Sequence, residues 1–290
     1  MTVPTRPASG CWHYREAPLT DIDPGAKTWI ARAANFVTVV SEAPAGTVLA
    51  RAGNPDEYMI VTHKVGAHVT AGGETIAIEP DSLTIVPPGA SSVTLAGDGA
   101  IVRIFSHRAE DLAARASNTG DYTPRPDDVA PLVPWPDPVG GFRLRTYRLA
   151  DHVREGTNMR VFRSTNLMVN VMTPRNVPRD TSALSPHSHT DFEQGSLAIG
   201  GTYVHHLRYP WTKDMATWRA DEAVEMDSPS VLIIPPNVIH TSRNIGADPG
   251  RLIDIFAPPR MDFSMREGLV ANADEYPMAG AAAKPKAKTD

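Results

Sequence analysis

The sequence predicts an all-β protein in which one antiparallel barrel or sandwich occurs twice. Its 290 residues include 27 prolines and 21 glycines scattered along the chain, and this composition suits short strands joined by turns. Short apolar runs separated by turn residues recur throughout, which is typical of antiparallel barrels and sandwiches. One pattern of the first half returns in the second, and such self-similarity indicates two copies of a domain.

The composition argues against several classes of function. The net charge of −5, from 28 basic and 33 acidic residues, gives no reason to expect nucleic acid or an anionic membrane as a partner. The single cysteine, Cys11, rules out an intramolecular disulfide framework and fits a reducing compartment. The first residues contain no apolar signal core, and no run approaches the roughly 20 apolar residues of a membrane helix. We therefore expect a cytoplasmic soluble protein.

The first half of the chain predicts a series of short strands. Residues 1–26 are rich in proline and polar residues, and we expect an arm that packs on the surface or on a partner subunit. Gly72 and Gly73 predict a hairpin turn, and residues 107–116 predict a short helix. Strands are expected where apolar runs lie between turn residues, at 29–31, 36–40, 47–50, 57–62, 67–70, 74–78, 82–86 and 100–105.

A proline-rich segment separates this half from the next. Six prolines between residues 121 and 140 predict a stiff linker over 121–141. Residues 276–290 predict a disordered tail. The strands expected between the linker and the tail are 142–147, 160–163, 167–172, 196–199, 202–207, 231–234 and 251–256.

The internal repeat is visible in the letters. Residues 82–88 read SLTIVPP, and residues 230–236 read SVLIIPP. Each segment is followed by a loop and a strand that ends in Ile-Phe, at 104–105 and at 255–256. Self-similarity over half a chain supports two copies of one domain.

The second half contains the residues most able to carry chemistry. His187 and His189 are one residue apart, so in an extended strand both side chains lie on the same face. Glu193 follows four residues later, and His240 closes the run that begins at Pro235. Imidazole nitrogens and a carboxylate oxygen are ligands of iron, manganese, nickel or zinc. The pattern predicts one divalent metal ion per chain, held by His187, His189, Glu193 and His240.

These residues resemble the two motifs of the cupin superfamily. In the first motif, two histidines one residue apart are followed by a glutamate and then a glycine; here these are His187, His189, Glu193 and Gly200. The second motif is read as Pro235, Asn237, His240 and Asn244, with Asn237 in place of the usual glycine. Asparagine tolerates the positive φ of such a turn. The leading glycines of both motifs are missing, with Thr181 and Pro229 at those spacings.

The resemblance implies two tandem cupin domains, each a jelly-roll β-barrel, with a few short helices. It implies an N-terminal domain at 1–120 and a C-terminal domain with the metal at 142–275. The first half departs from the motifs, with Arg51, Gly53 and Ser92 where ligands would lie. We therefore interpret the N-terminal domain as a cupin that has lost its metal ligands, with a structural or covering role.

Three functions remain open at this stage. Four protein ligands on a six-coordinate metal leave two positions, which is typical of a catalytic site. By resemblance, the first is an Fe(II)-type dioxygenase that cleaves a C–C bond of a chelating aromatic or diketone-like substrate. The second is an isomerase, lyase or decarboxylase of sugar acids or keto acids, and the third is non-enzymatic binding of a small molecule. We favour the dioxygenase, because Leu197, Ile199 and Met168 or Met172 predict an apolar pocket.

A few further residues are candidates for binding the substrate. His205 and His206 are adjacent on a strand, so only one of them can face the interior. We name His206, Arg208 and Met172 as possible contacts of a small-molecule substrate, and we expect a homodimer. Trp211 and Trp218 lie between the two motifs and could line the pocket mouth or pack under a loop.

Overall fold

The chain folds into two halves, each built from two β-sheets, in a computed structural model that describes residues 10–13 and 16–280. Of the tail predicted at 276–290, residues 281–290 lie outside the described residues, whereas Tyr276 is buried. Among those that are described, no helix is both long and apolar enough to cross a bilayer. The elements of the first half are β1 (Gly10–His13), β2 (Lys27–Arg32), β3 (Phe36–Ala43), β4 (Val48–Arg51), β5 (Tyr58–Thr62), β6 (Ala67–Ala71), β7 (Glu74–Ile78), β8 (Ser82–Val86), β9 (Ser91–Leu95), β10 (Gly99–Ser106) and α1 (Glu110–Arg115).

The second half continues with shorter strands and one more short helix. Its elements are β11 (Arg145–Arg148), β12 (Val161–Arg163), β13 (Met168–Val171), β14 (Gln194–Gly200), β15 (Tyr203–Arg208), β16 (Glu222–Met226), β17 (Ser230–Ile234), β18 (Ile239–Asn244), β19 (Arg251–Phe256) and α2 (Met261–Ser264). The repeated segments 82–86 and 230–234 form the corresponding strands β8 and β17. Each begins at a buried serine, Ser82 and Ser230.

Each half pairs a six-stranded sheet with a smaller one. In the first half the strand orders are β11-β8-β5-β10-β3-β2 and β4-β9-β6-β7. In the second half they are β1-β17-β14-β19-β13-β12 and β16-β15-β18. The two halves exchange strands, because β1 pairs with β17 and β11 pairs with β8. The domain division at residues 120 and 142 remains a prediction. Strands β1 and β11 each pair with a strand on the other side of that division.

The two six-stranded sheets pack against each other and bury their shared faces. One apolar cluster joins Phe36, Met59 and Ile85 of the first half to Leu197 and Ile255 of the second. Burial of this apolar surface is the main force that holds the halves together. Because β14 lies between the halves and the interior of its own barrel, its residues from Gln194 to Ala198 are all buried.

A glycine on β14 allows the halves to approach closely. A Cβ atom built on Gly195 would lie 2.8 Å from Phe36 Cζ and 3.4 Å from Ile255 Cβ. We expect Gly195→Ala to lower the free energy of unfolding by about 1–3 kcal/mol, as overpacking of a tight core does. Urea unfolding measures this. Gly53→Ala is the matched control, because a Cβ there meets nothing within 4 Å, and equal losses in both variants would contradict the close packing.

A buried carboxyl group also lies between the halves. Glu57, which is 0% exposed, accepts hydrogen bonds from Tyr276 OH at 2.8 Å and from Thr165 N at 3.1 Å. Burial raises the pKa of Glu57 above its ordinary value. A carboxyl group whose folded-state pKa is raised contributes its stability below the unfolded pKa. That contribution is lost as the pH rises through the folded pKa.

Replacement of Glu57 by glutamine tests whether the contribution of Glu57 to stability falls as the pH rises. Glutamine keeps an oxygen for Thr165 and cannot ionise, so Glu57→Gln should gain stability relative to the native protein as the pH rises from 4 to 8. Urea unfolding at several pH values measures the difference. Glu155→Gln on the exposed surface is the control and should show no such trend. A Glu57→Gln deficit that grows with pH would contradict the assignment.

Candidate metal centre

Three histidines meet at one end of the second half. His187 and His189 lie in the loop before β14, and His240 lies at the start of β18. The backbone joins the two motifs, since His187 N donates to His240 O at 3.1 Å and His240 N donates to His187 O at 2.8 Å. Asn237 N donates to His189 O at 2.5 Å. Asn237 has a φ of +66°, which agrees with its predicted place in the turn.

The three imidazoles are arranged so that each can offer a nitrogen to one point. Their ligating nitrogens lie within 4.8 Å of one another, and the part of the chain that the structure describes holds no second cluster of this kind. His187 Nδ1 lies 2.9 Å from Ser185 O, and His240 Nδ1 lies 2.9 Å from Val238 O. A carbonyl can only accept, so these contacts place the proton on Nδ1 and leave Nε2 as the ligand atom.

Gln194 places a fourth candidate ligand atom, its amide oxygen, at the same point. Its Oε1 accepts a hydrogen bond from His189 Nε2 at 2.9 Å and lies 3.3 Å from His240 Nε2. Binding of a metal ion through His189 Nε2 therefore requires the other neutral tautomer of His189, with its proton on Nδ1. The amide Nε2 of Gln194 donates to Ser196 Oγ at 3.0 Å and to Asp254 Oδ1 at 3.2 Å. These acceptors orient the amide so that its oxygen faces the histidines. Three imidazole nitrogens and an amide oxygen fit a divalent ion.

Glu193, the fourth predicted ligand, is not part of this group. Its Oε2 accepts a hydrogen bond from Ala34 N at 2.7 Å, and its Oε1 accepts one from Tyr122 OH at 3.2 Å. Side chains alternate along a strand, so Glu193 points with Gly195 and Leu197 toward the first half. Gln194 and Ser196 point into the barrel. Sequence reasoning missed Gln194, because β14 is buried on both faces and its residues show no alternation that would mark the inward side.

Burial sets the protonation of the inner histidines. His189 is 6% exposed and His240 is 2% exposed. Burial lowers the pKa of His189 to about 3 and that of His240 to about 4. Both imidazoles are therefore neutral near pH 7, which is the form that binds a metal ion. Burial also raises the pKa of Asp254 to about 6.

A cavity of about 210 Å³ opens beside His187, Gln194 and His240. Its volume suits a small molecule. Its wall is mixed. The polar residues include Asn158, Asn170, Tyr203, Ser242, Asn244 and Asp254, with three arginines, Arg175, Arg179 and Arg260. The apolar residues are Met159, Met172, Leu252, Phe256 and Phe263.

The apolar pocket expected from β14 is not found. Leu197 and Ile199 pack into the core between the halves, and Met168 packs with Phe256 and Val161. Of the four apolar residues proposed for this wall, Met172 lines the cavity. The sequence did not show which face of β14 points into the barrel. In the structure its apolar face packs against the first half of the protein.

The three arginines differ in their contacts. Arg179 donates to Ser242 O at 2.9 Å and to Ser185 Oγ at 3.0 Å, and so supports the loop before the histidines. The Arg260 guanidinium lies 3.7 Å from the centre of the Phe263 ring and pairs with Asp262 at 2.6 Å. Arg175 is half-buried, and its guanidinium has no hydrogen-bond or ion-pair partner within the described ranges. A cation in this state is suited to an anionic guest.

The other predicted contacts lie elsewhere. Strand alternation turns His205 inward, where its Nδ1 lies 2.7 Å from Ser242 Oγ. His206 faces the outer side of the sheet, where it accepts a hydrogen bond from Arg243 Nε at 3.2 Å. Arg208 is exposed and pairs with Asp221 at 2.6 Å. Neither His206 nor Arg208 lines this cavity. Both line a second, more open pocket of about 300 Å³ that also includes His240, so their role in substrate binding stays a prediction.

Trp211 and Trp218 also lie away from the cavity wall. Their rings stack on each other with centroids 4.5 Å apart, and Trp211 is 77% exposed. Neither residue lines the cavity. Trp211 is not covered by a loop, whereas Trp218 is 38% exposed and its Nε1 donates to Thr212 O within the same loop.

Comparison with known proteins gives a fold. No protein-family model and no curated protein matches the chain. Among solved structures, a formate complex of Lactobacillus farciminis oxalate decarboxylase aligns with a TM-score of 0.57 at 14% identity, covering 86% of each chain. A Bacillus subtilis oxalate decarboxylase, studied for its Mn(II) centres, aligns with a TM-score of 0.57 at 14% identity, covering 88% of this chain and 79% of that one. The predicted fold class is confirmed: the described residues form an all-β protein with few helices, and their fold is similar to that of these decarboxylases.

Proposed function

We propose that this protein binds one divalent metal ion through His187, His189 and His240, with Gln194 as a fourth donor, and acts on a small organic acid. The reaction class that we propose is removal of a carboxylate group as CO₂. The observation that carries the proposal is the set of arginines around a small cavity beside the three histidines.

The donor set supports a charged metal centre. Three neutral imidazoles and a neutral amide leave the full double charge of the ion uncompensated, so an anion entering the cavity is attracted strongly. When bound, the ion supplies Lewis-acid polarisation of a carboxylate or carbonyl oxygen. The Mn(II) centres of the Bacillus subtilis enzyme favour manganese over the Fe(II) expected from the sequence, with nickel and zinc as alternatives.

The chain's own residues would bind and orient the acid. The Arg175 guanidinium has no competing partner among residues 10–13 and 16–280. A guanidinium of this kind pairs with a carboxylate through two parallel hydrogen bonds. Arg260 is held by its aromatic neighbours and by Asp262 at the same cavity. The wall is mixed, with Phe256 and Phe263 beside the polar groups. Its three arginines favour an organic acid over the uncharged aromatic substrate that the dioxygenase interpretation requires.

Metal loading followed by a substrate panel tests this proposal. Metal-stripped protein is reloaded with Mn(II), Fe(II), Co(II), Ni(II) or Zn(II) and incubated with oxalate, malonate, pyruvate and 2-oxoglutarate. Released CO₂ and consumed O₂ are measured together. We expect CO₂ release from at least one acid without stoichiometric loss of O₂.

Other outcomes would reject the proposal in distinct ways. Stoichiometric O₂ uptake with a catechol or a diketone would support the dioxygenase instead. Tight acid binding without turnover would support a non-enzymatic binding protein. A homodimer and a cytoplasmic location remain predictions, and light scattering on the purified protein checks the first.

A further inference from the structure

We propose that the turn between β2 and β3 of the first half positions the metal-binding loop of the second half, with Glu193 as the positioning residue. This inference rests on the proposed metal site. It gives the first half, for which we predict no metal of its own, a specific task in the chemistry of the second.

The turn is unusual because it is completely covered. Ala33 and Ala34 are 0% exposed, and Asn35 is 2% exposed. Hairpin turns normally lie on the surface, where water satisfies their polar groups. A buried turn must find its partners within the protein. Here the partners include Glu193 and Ala257 of the second half, beside others in the first half and the linker.

One set of contacts reaches the loop that carries His187 and His189. Ala34 N donates to Glu193 Oε2 at 2.7 Å. Tyr122 OH, from the segment after α1, donates to Glu193 Oε1 at 3.2 Å. Ala130 N donates to Asp191 O at 2.8 Å. The loop between the second histidine and Gln194 is therefore tied at two residues to the first half and the linker.

A second set of contacts reaches the opposite wall of the site. Asn35 Nδ2 donates to Ala257 O at 2.9 Å, directly after the strand that ends in Phe256. The same amide donates to Ala130 O at 2.9 Å. Arg125 binds the turn through Ala34 O at 2.9 Å and through Asn35 Oδ1 at 2.9 Å. One buried turn thus fixes both the histidine loop and the segment that leads to Arg260.

Glu193 is the contact that transmits this restraint to the ligands. It lies between His189 and Gln194 in sequence, and its carboxylate accepts the buried N–H of Ala34. Without that acceptor the N–H group would be unsatisfied in a dry interface, and the loop would be free to move. A residue that holds ligands in place in this way typically changes metal affinity by about 10- to 100-fold when it is removed.

The test uses Glu193→Ala, Glu193→Gln and Tyr122→Phe, with two measurements on each. Hydrogen–deuterium exchange of the metal-free protein reports the mobility of residues 186–194. Co(II) titration, followed by its visible absorption spectrum, reports affinity and ligand geometry. We expect Glu193→Ala to exchange faster in this segment and to bind Co(II) about tenfold more weakly, with an altered spectrum.

The other variants make the test specific. Glu193→Gln keeps an oxygen for Ala34 N and should behave like the native protein in both measurements. Tyr122→Phe removes one of the hydrogen bonds and should show smaller changes in the same direction, which decides the question if Glu193→Ala does not fold. Asp81→Asn is the control, because it weakens a different ion pair between the halves, to Arg251 at 2.7 Å, and should leave both measurements unchanged.

Two results would overturn the positioning role. Unchanged exchange and Co(II) affinity in Glu193→Ala, or in Tyr122→Phe if Glu193→Ala is unfolded, would show that the contact restrains nothing. Loss of Co(II) binding in Glu193→Gln would show that Glu193 is itself a ligand. If the native protein binds no Co(II) but Glu193→Ala still loosens the loop, the metal proposal fails and the restraint stands.

Discussion

Replacement of His240 by alanine is expected to abolish tight metal binding, with a loss in affinity of at least about 100-fold. Loss of a direct ligand should exceed the 10- to 100-fold effect of losing an outer partner. His240 is 2% exposed, so no water-exposed side chain can easily replace its nitrogen. The variant should also lose the stabilisation that metal gives the native protein, which is about 2.7 kcal/mol at a metal concentration 100 times the dissociation constant. Isothermal titration and thermal unfolding with and without Mn(II) measure both effects.

The chain provides a matched control for this experiment. His206 lies on β15, which pairs with the strand that carries His240, but its side chain faces the outer side of the sheet. His206→Ala should therefore keep metal binding and activity. His187→Ala should resemble His240→Ala. Full metal occupancy and turnover in both ligand variants would remove the basis of the proposed function.

Replacement of Arg175 by methionine is expected to weaken the use of an acidic substrate by about 100-fold in kcat/KM. Removal of one partner from a desolvated charge pair costs about 2–5 kcal/mol, and 2.7 kcal/mol corresponds to that factor. Methionine retains much of the length and bulk of the side chain while removing its charge. The loss should appear mainly in KM, because the guanidinium binds the carboxylate before reaction as well as during it.

The corresponding control is Arg208→Met. Arg208 is an exposed arginine on the same domain, paired with Asp221 outside the cavity. Steady-state kinetics with the most active acid of the panel should show native values for this variant. If both variants lose activity equally, the effect is one of overall charge. If neither does, Arg175 does not bind the substrate.

The histidines could be found from sequence because their spacing is local and diagnostic. His187 and His189 share a face in any extended segment, and His240 follows a Pro-Pro turn whose Asn237 has the positive φ expected there. The tandem architecture could be found because the segments that form β8 and β17 share an initial serine, an apolar run and a Pro-Pro pair at the end. These features depend on short stretches of chain, where spacing and composition decide the geometry.

The fourth donor could not be found in the same way. Glu193 and Gln194 are adjacent, and β14 is buried on both faces, so no polar and apolar alternation indicates which residue points inward. Their orientation is decided by the register of β14 against β17 and β19, where Gln194 lies opposite Ile234 and Ser196 opposite Asp254. Long-range pairing of this kind leaves little trace in the local sequence.

The same limit explains the pocket. Leu197 belongs to an apolar face that the first half of the protein covers. Arg175 and Arg260 line the same cavity but belong to loops that are far apart in sequence, one before β14 and one after β19. Residues from distant loops meet only in the folded chain, so the cationic character of the cavity was not visible from sequence.

A crystal structure of the Mn(II)-loaded protein, with anomalous diffraction collected near the manganese edge, tests the central claim most directly. We predict one anomalous peak per chain, within coordination distance of Nε2 of His187, His189 and His240 and of Oε1 of Gln194, with Glu193 still bound to Ala34. No peak among these histidines, or a peak coordinated by Glu193 in place of Gln194, would contradict the account.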